Sequence, residues 1–187
     1  IENRGLKGTL CTIQLPACGD FSETTIQADI PIPGKHMVYN ALAGAYIGHL
    51  FGLSPEEIET GIHSLQPVTG RNHLIETDTL MILDDCYNAN PASMRASLDV
   101  LALATGRRVA VMGDMKELGE NEEQLHFETG EYAARKGIDT IVCIGPLACQ
   151  MYLGAKNLAS GNTVLHYTGK KEFLHDLPSL FEAGDTV

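Results

Sequence analysis

From residue 71 onward the sequence alternates short apolar runs with longer amphipathic ones, and this alternation limits the possible folds more than any other feature. "TLMILDD", "RRVAVMGD", "DTIVCIG" and "TVLHY" are rich in Val, Ile and Leu and are bounded by turn-forming residues, so each is predicted as a strand. "PASMRASLDVLALA", "NEEQLHFETGEYAARKG", "PLACQMYLGAKNLA" and "KKEFLHDLPSLFEA", which lie after them in turn, read as helices. Asn90 caps the first helix, with Pro91 at its first position; Asn121 caps the second, and Gly137 closes it. "DTV" at the end reads as the start of another strand. Strands joined through helices of this length form right-handed crossovers. The fold class is therefore α/β: a Rossmann-like, mainly parallel sheet with helices on both faces.

The earlier residues follow a different pattern. "TTIQADIPI" alternates, with Ile26, Ala28, Ile30 and Ile32 on one face, and "TLCTIQL" is a weaker strand joined to it through the turn residues of "PACGDFSE". "PGKHMVYNALAGAYIGHLFG" is apolar nearly all round over residues 37–51, which predicts a buried helix ending at Gly52. "SPEEIETGIHSL" starts a second helix, with Ser54 as cap, Pro55 first and Glu57 completing a capping box. "QPVTGR" then breaks the helical pattern. The domain boundary is placed there, dividing a partial α/β segment, 1–67, from the alternating region, 68–187.

Composition excludes several classes of function. The formal net charge is -11, with 13 Lys+Arg against 24 Asp+Glu. A protein that neutralises phosphates with Lys and Arg would not carry this balance, so nucleic acid is not an expected partner. No apolar run approaches the roughly 20 residues that cross a bilayer, so no membrane insertion is expected. The five cysteines are odd in number and form no C-x-x-C pair, which suits reduced thiols in the cytoplasm. Cys86 reads as a small buried residue beside a strand end, because no general base has an obvious place next to it. The chain opens with "IENRGLKG" and no Met, so it is expected to be a piece of a longer polypeptide.

In an open α/β sheet, ligands bind beyond the carboxyl ends of the strands. Those ends read "DDCYNANP", "GDMKELGE" and "GP". One carboxylate at a strand end can hold both hydroxyls of a ribose. Alternation turns Asp84 and Asp85 to opposite faces, and Asp85, nearer the loop, is the better candidate; a capping or solvated acid pair is equally compatible. Asn88 offers an amide to a peptide-like ligand. Asn90 already has sufficient work as a helix cap. Asp114, with Lys116 and Glu117, reads as a second polar wall, whereas Glu122 and Glu123 suit a helix N-terminus. His36 and Asn40 lie one helical turn apart, where an Asn can read an adenine edge or simply sit satisfied at a helix end. Arg71, at the domain joint, can reach a phosphate or form a surface salt bridge. There is no G-x-G-x-x-G, no G-x-x-x-x-G-K-[ST] and no zincin spacing.

"PGKHMVYNALAGA", "SLQPVTGR", "LDDCYNANPASMRASLDVL" and "VMGDMKELGE", in this order and spacing, resemble the Mur ligases of peptidoglycan synthesis. The likeness spans nearly the whole chain. "YNANP" and "GDMKELGE" point to the members that join D-alanyl-D-alanine to a UDP-N-acetylmuramoyl-tripeptide. The resemblance implies a cytoplasmic enzyme of three domains using ATP and Mg2+, in which the tripeptide carboxylate is phosphorylated and the dipeptide amine attacks the acyl phosphate. It places residues 1–67 at the end of the central ATP-binding domain and 68–187 in most of the C-terminal domain. His36 and Asn40 then match the stretch facing adenine, Arg71 the arginine near the γ-phosphate, and Asp85 the acid on the ribose. Asn88, Asn90 and Asp114 would lie toward the dipeptide. Met37 stands where the family often has Asn, which removes one polar contact and leaves Asn40. A P-loop, a magnesium-binding glutamate and a carbamylated lysine are implied upstream of residue 1, so this polypeptide alone is predicted to have no ligase activity. Two alternatives remain open on the residues: a nucleotide-binding or interaction module without chemistry of its own, and another ATP-dependent amide ligase such as a folylpolyglutamate synthetase relative.

Overall fold

Ile26, Ala28 and Ile30 leave one strand on the same side and are fully buried, as a side-chain period of two requires. They belong to the first of two units, Ile1–Val68 and Thr69–Val187, into which the chain divides in a computed structural model describing residues 1–17, 22–158 and 161–187. The first unit contains the antiparallel strands β1 (Glu2–Asn3), β2 (Thr9–Leu15) and β3 (Thr24–Ile30), in that order. The weaker-looking "TLCTIQL" pairs with β3 along its whole length, Thr9 opposite Ile30 and Leu15 opposite Thr24. Cys18 and the middle of the turn residues in "PACGDFSE" lie outside the described residues.

Helices α1 (Lys35–Leu50) and α2 (Pro55–His63) pack on the buried face through Ala41, Ala45, Ile58 and Ile62. The α2 start matches the sequence pattern: the Ser54 hydroxyl accepts the Glu57 N–H at 3.2 Å, and the Glu57 carboxylate accepts the Ser54 N–H at 2.8 Å. The expected all-round burial of α1 is corrected. Its small residues Ala41, Ala45 and Gly48 face the core, while Tyr39, Leu42, Tyr46, Ile47 and Leu50 are exposed. Small side chains let a helix approach its neighbours closely; at Gly48 an added Cβ would lie 3.2 Å from Ile58 and Leu53. The apolar residues opposite are left facing out.

In the second unit β6 (Val109–Gly113), β7 (Thr140–Ile144) and β8 (Thr163–Tyr167) form a parallel sheet in chain order. β5 (Met81–Asp84) pairs antiparallel with β4 (His73–Glu76), a strand the sequence reading did not contain. The β4 run is only four residues long and half polar, too short to show a period. Its turn is set by Thr77, whose N–H reaches the Leu80 carbonyl and whose hydroxyl accepts the Leu80 N–H. Residues 185–187 lie between β5 and β6. Met81 and Asp185, Leu83 and Val187, and Val109 and Thr186 bond through their backbones, so the "DTV" expectation is met and the two sheets join.

Four helices follow their strands: α3 (Pro91–Leu101), α4 (Glu122–Arg135), α5 (Ala148–Leu158) and α6 (Lys170–Leu180). Leu98, Ala133, Met151 and neighbours from the first three share a core with Ala110, Met112, Ile141, Cys143 and Val164. The alternate residues face the other side, where Tyr167 meets Phe173 of α6 edge to face, with ring centroids 5.8 Å apart. Helices therefore cover both faces. α4 and α5 approach closely at Gly130 and Gly154. One capping expectation is corrected: Asn121 sits at the N-cap of α4 but makes no side-chain cap bond, because a 3-10 turn over Gly119–Asn121 leads into the helix.

Candidate functional site

The carboxyl ends of β5, β6, β7 and β8 open onto one cleft of about 1000 Å³ in the second unit. Its rim carries Asp84, Asp85, Asn88, Asp114, Lys116 and Lys170. Below the rim it is apolar, lined by Ile82, Leu98, Leu101, Val111 and Met112, and it runs past Val187 between β5 and β6. The polar rim can recognise a ligand, whereas the floor is apolar packing surface of the sheet and of the helix that carries Leu98 and Leu101.

At one end of the rim, residues 70–72 are pinned to residues 84–87. Gly70 N–H donates to the Asp84 carboxylate at 3.0 Å, and the Gly70 carbonyl accepts the Tyr87 N–H at 3.0 Å. Asn72 N–H donates to Asp85 Oδ1 at 3.0 Å, while Asp85 Oδ2 accepts the Ser97 hydroxyl. Gly70 has φ +77°, and an added Cβ would sit 3.4 Å from the Tyr87 Cβ, so a side chain here would be strained. Both aspartates are therefore engaged with their own chain. Each Asp85 oxygen keeps a second lone pair, enough to accept a further hydroxyl.

Arg71 sits in the middle of this clamp and behaves unlike the other arginines. Arg4, Arg95, Arg107, Arg108 and Arg135 each pair with a carboxylate. Among the described residues Arg71 has no ion pair, so the surface salt bridge considered for it is absent. Its guanidinium lies 4.3 Å from the centroid of the Tyr87 ring. Its charge therefore lies against an aromatic face, with no described carboxylate paired to it.

At the other end of the rim, Asp114 accepts the Ala148 N–H at 2.7 Å and so fixes the start of α5. An added Cβ on Gly145 would meet the Asp114 carboxylate at 2.3 Å, so the aspartate wraps this turn closely. The loop after Asp114 is tied down by His126, which is fully buried. Its Nε2 accepts the Met115 N–H at 2.9 Å, so its Nδ1 carries the proton and donates to the Glu122 carbonyl at 2.6 Å. Asn88 is exposed and, among the described residues, bonds locally, accepting the Ala89 N–H at 2.9 Å. Asn90 caps α3, accepting the Ser93 N–H at 2.9 Å.

Cys86 is exposed in the loop after β5, which corrects the expectation of a buried residue. Its thiol donates to the Asp84 carboxylate; this holds Asp84 below the ordinary carboxylate range and pushes Cys86 above the ordinary thiol value. That is the opposite of an activated nucleophile. Burial pushes Cys143 up to about 12. In the first unit, His36 and Asn40 share a face near the start of α1, where the Asn40 amide points at the Met37 sulfur at 3.5 Å. Among the described residues no three His, Cys, Asp or Glu side chains converge as a metal site, and no helix is long and apolar enough to cross a membrane. Sequence reasoning missed Tyr87, Ser97 and His126. The only signal for Tyr87 was an aromatic residue in an otherwise polar loop.

Residues 70–187, which hold the whole of this cleft, match the family described as Mur ligase, glutamate ligase domain. The chain belongs to the Mur ligase family. Within it, the UDP-N-acetylmuramoyl-tripeptide--D-alanyl-D-alanine ligase of Bacillus subtilis is 37% identical over 161 residues, covering 84% of this chain and 35% of that protein. The Escherichia coli ligase of the same name is 39% identical over 139 residues, covering 74% and 29%. This Mur ligase chain thus spans about a third of the relatives it matches. Among solved structures it is similar to MurF from Acinetobacter baumannii, with TM-score 0.75 and 32% identity, covering 88% of this chain and 35% of that one. It is also similar to the Thermotoga maritima MurF ligase in complex with ADP, with TM-score 0.70 and 26% identity, covering 89% and 36%.

Proposed function

We propose that this chain is part of an ATP-dependent ligase that joins D-alanyl-D-alanine to a UDP-N-acetylmuramoyl-tripeptide in peptidoglycan synthesis. The single observation that carries the reading is Arg71, an arginine that stacks on Tyr87 at the rim of the cleft and whose charge no described carboxylate neutralises. The names of the relatives and the ADP complex of one of them support it.

In this reading ATP phosphorylates the tripeptide carboxylate, and the dipeptide amine attacks the acyl phosphate, forming the amide and releasing phosphate. Arg71 stabilises charge on the transferred phosphoryl group, the service an always-charged planar fork supplies best. Asp85 takes a ribose hydroxyl on its remaining lone pairs, and His36 and Asn40 serve the adenine. Asn88 faces the dipeptide; Asn90 and Asp114 shape that side chiefly by fixing α3 and α5. Residues 1–67 belong to the central ATP-binding domain and 68–187 to the C-terminal domain. Mg2+ would neutralise the phosphates when bound, and the described residues here do not gather its ligands. The free thiols of Cys11, Cys86, Cys143 and Cys149 are in keeping with a cytoplasmic site of action, and the negative net charge with small-molecule partners rather than nucleic acid.

The test is dipeptide- and ATP-dependent phosphate release. The purified 187-residue chain should release none. In the full-length ligase, Arg71→Ala should lower the rate by at least about a hundredfold, as expected for loss of a charge aimed at the transition state. An unchanged rate would remove Arg71 from the reaction.

A further inference from the structure

Tyr87 is 70% exposed, an unusual place for an aromatic side chain that serves no core. Its backbone is nevertheless fixed, because its N–H donates to the Gly70 carbonyl at 3.0 Å, and the two backbones pass so closely that a Cβ added at Gly70 would meet the Tyr87 Cβ at 3.4 Å. The ring therefore stands at a set distance from residue 71. The two carboxylates that could have drawn Arg71 into an ion pair, Asp84 and Asp85, instead accept the backbone N–H groups on either side of it. Among the described residues, the ring is left to hold the guanidinium, at 4.3 Å.

We propose that Tyr87 is a positioning residue that presents the Arg71 guanidinium, ordered and un-neutralised, to a phosphate group in the cleft. A carboxylate in its place would also order Arg71, but would compete with an incoming phosphate for the same donors. An aromatic face attracts the cation through its quadrupole and leaves the edge donors of the guanidinium free. The ring thus reduces the rotamer freedom that a long side chain loses on binding without cancelling its charge. This inference rests on the reading of Arg71 as a phosphate-facing group.

Nuclear magnetic resonance on the 187-residue chain tests it, with inorganic tripolyphosphate as the probe. Three proteins are compared: wild type, Tyr87→Phe and Tyr87→Leu. Because the side chain is exposed, all three should fold alike. The Arg71 Nε–H resonance should be shifted upfield by the ring in wild type and Tyr87→Phe, and should lose that shift in Tyr87→Leu. Tripolyphosphate should bind about two- to fivefold more weakly to Tyr87→Leu, the factor expected for one exposed cation–π contact, and equally well to Tyr87→Phe. Absence of the ring shift in wild type, or equal binding by all three proteins, overturns the role of Tyr87 and leaves the phosphate reading standing. A ring shift in wild type together with no tripolyphosphate binding overturns the phosphate reading, and the positioning role falls with it.

Discussion

Arg107 and Asp185 meet through two hydrogen bonds, Nε to Oδ1 at 2.8 Å and Nη2 to Oδ2 at 2.7 Å, with only 1% of the Asp185 side chain exposed. Arg107 also donates to the Leu180 carbonyl, and Asp185 accepts the Glu182 N–H. This pair therefore anchors the terminal segment that joins the two halves of the second unit's sheet.

Breaking the pair leaves a buried charge without its partner. Arg107→Ala should cost the second unit about 3–5 kcal/mol of stability in urea unfolding. The guanidinium holds the Asp185 carboxyl below the ordinary carboxylate range. Its contribution is therefore fully present above the unfolded-chain value near ~3.9, and is lost as pH falls through the lower folded value. Acid titrations of wild type and Arg107→Ala should converge there.

α4 and α5 cross through two glycines. A Cβ on Gly130 would lie 1.9 Å from the Met151 carbonyl oxygen, and one on Gly154 would lie 2.0 Å from that of Phe127. Either Ala substitution must push the helices apart, at a cost of about 1–3 kcal/mol or more. Gly44 in α1 has nothing within 4 Å, so Gly44→Ala should instead stabilise its helix by about 0.5–1 kcal/mol. Thermal unfolding of the three variants reads the difference in sign.

Asn88 and Asn90 should separate by assay. Asn90→Ala removes the α3 cap and should cost about 1 kcal/mol. Asn88→Ala loses only a local bond on an exposed loop and should stay within about 0.5 kcal/mol of wild type. If Asn88 touches the dipeptide, its substitution raises the dipeptide KM of the full-length ligase while stability holds.

Cys86 should alkylate slowly despite its exposure. Its hydrogen bond to Asp84 disfavours the thiolate, so the pH midpoint of its reaction with iodoacetamide should lie above the ordinary thiol value. Asp84→Asn removes the carboxylate charge and should bring the midpoint down. Mass spectrometry of the Cys86 peptide measures both.

The fold of the second unit was largely legible because its buried parallel strands are mostly apolar runs and two of its helices carry a start or stop signal, as at Asn90 and Gly137. β4 was not legible, since four half-polar residues gain their structure from pairing with β5 rather than from their own pattern. α1 misled for a related reason. Apolar character all round signals burial only when it is known which side faces the core, and here Ala and Gly took that side. Among candidate site residues, Asp85 and Asp114 stood out as polar groups at strand ends, and Arg71 as a charge at the domain joint. What each one does could not be read. The Asp114–Ala148 bond and the Arg71–Tyr87 stack join residues far apart in the chain or related only through a shared clamp, and those partners are set by the folded sheet.

The most direct measurement is a structure of the full-length ligase with an ATP analogue bound. Arg71 nitrogens should lie within about 2.7–2.9 Å of terminal phosphate oxygens, with the guanidinium still over Tyr87 and Asp85 within hydrogen-bond reach of the ribose. A nucleotide whose phosphates are held elsewhere, with Arg71 turned to a carboxylate, would contradict the account.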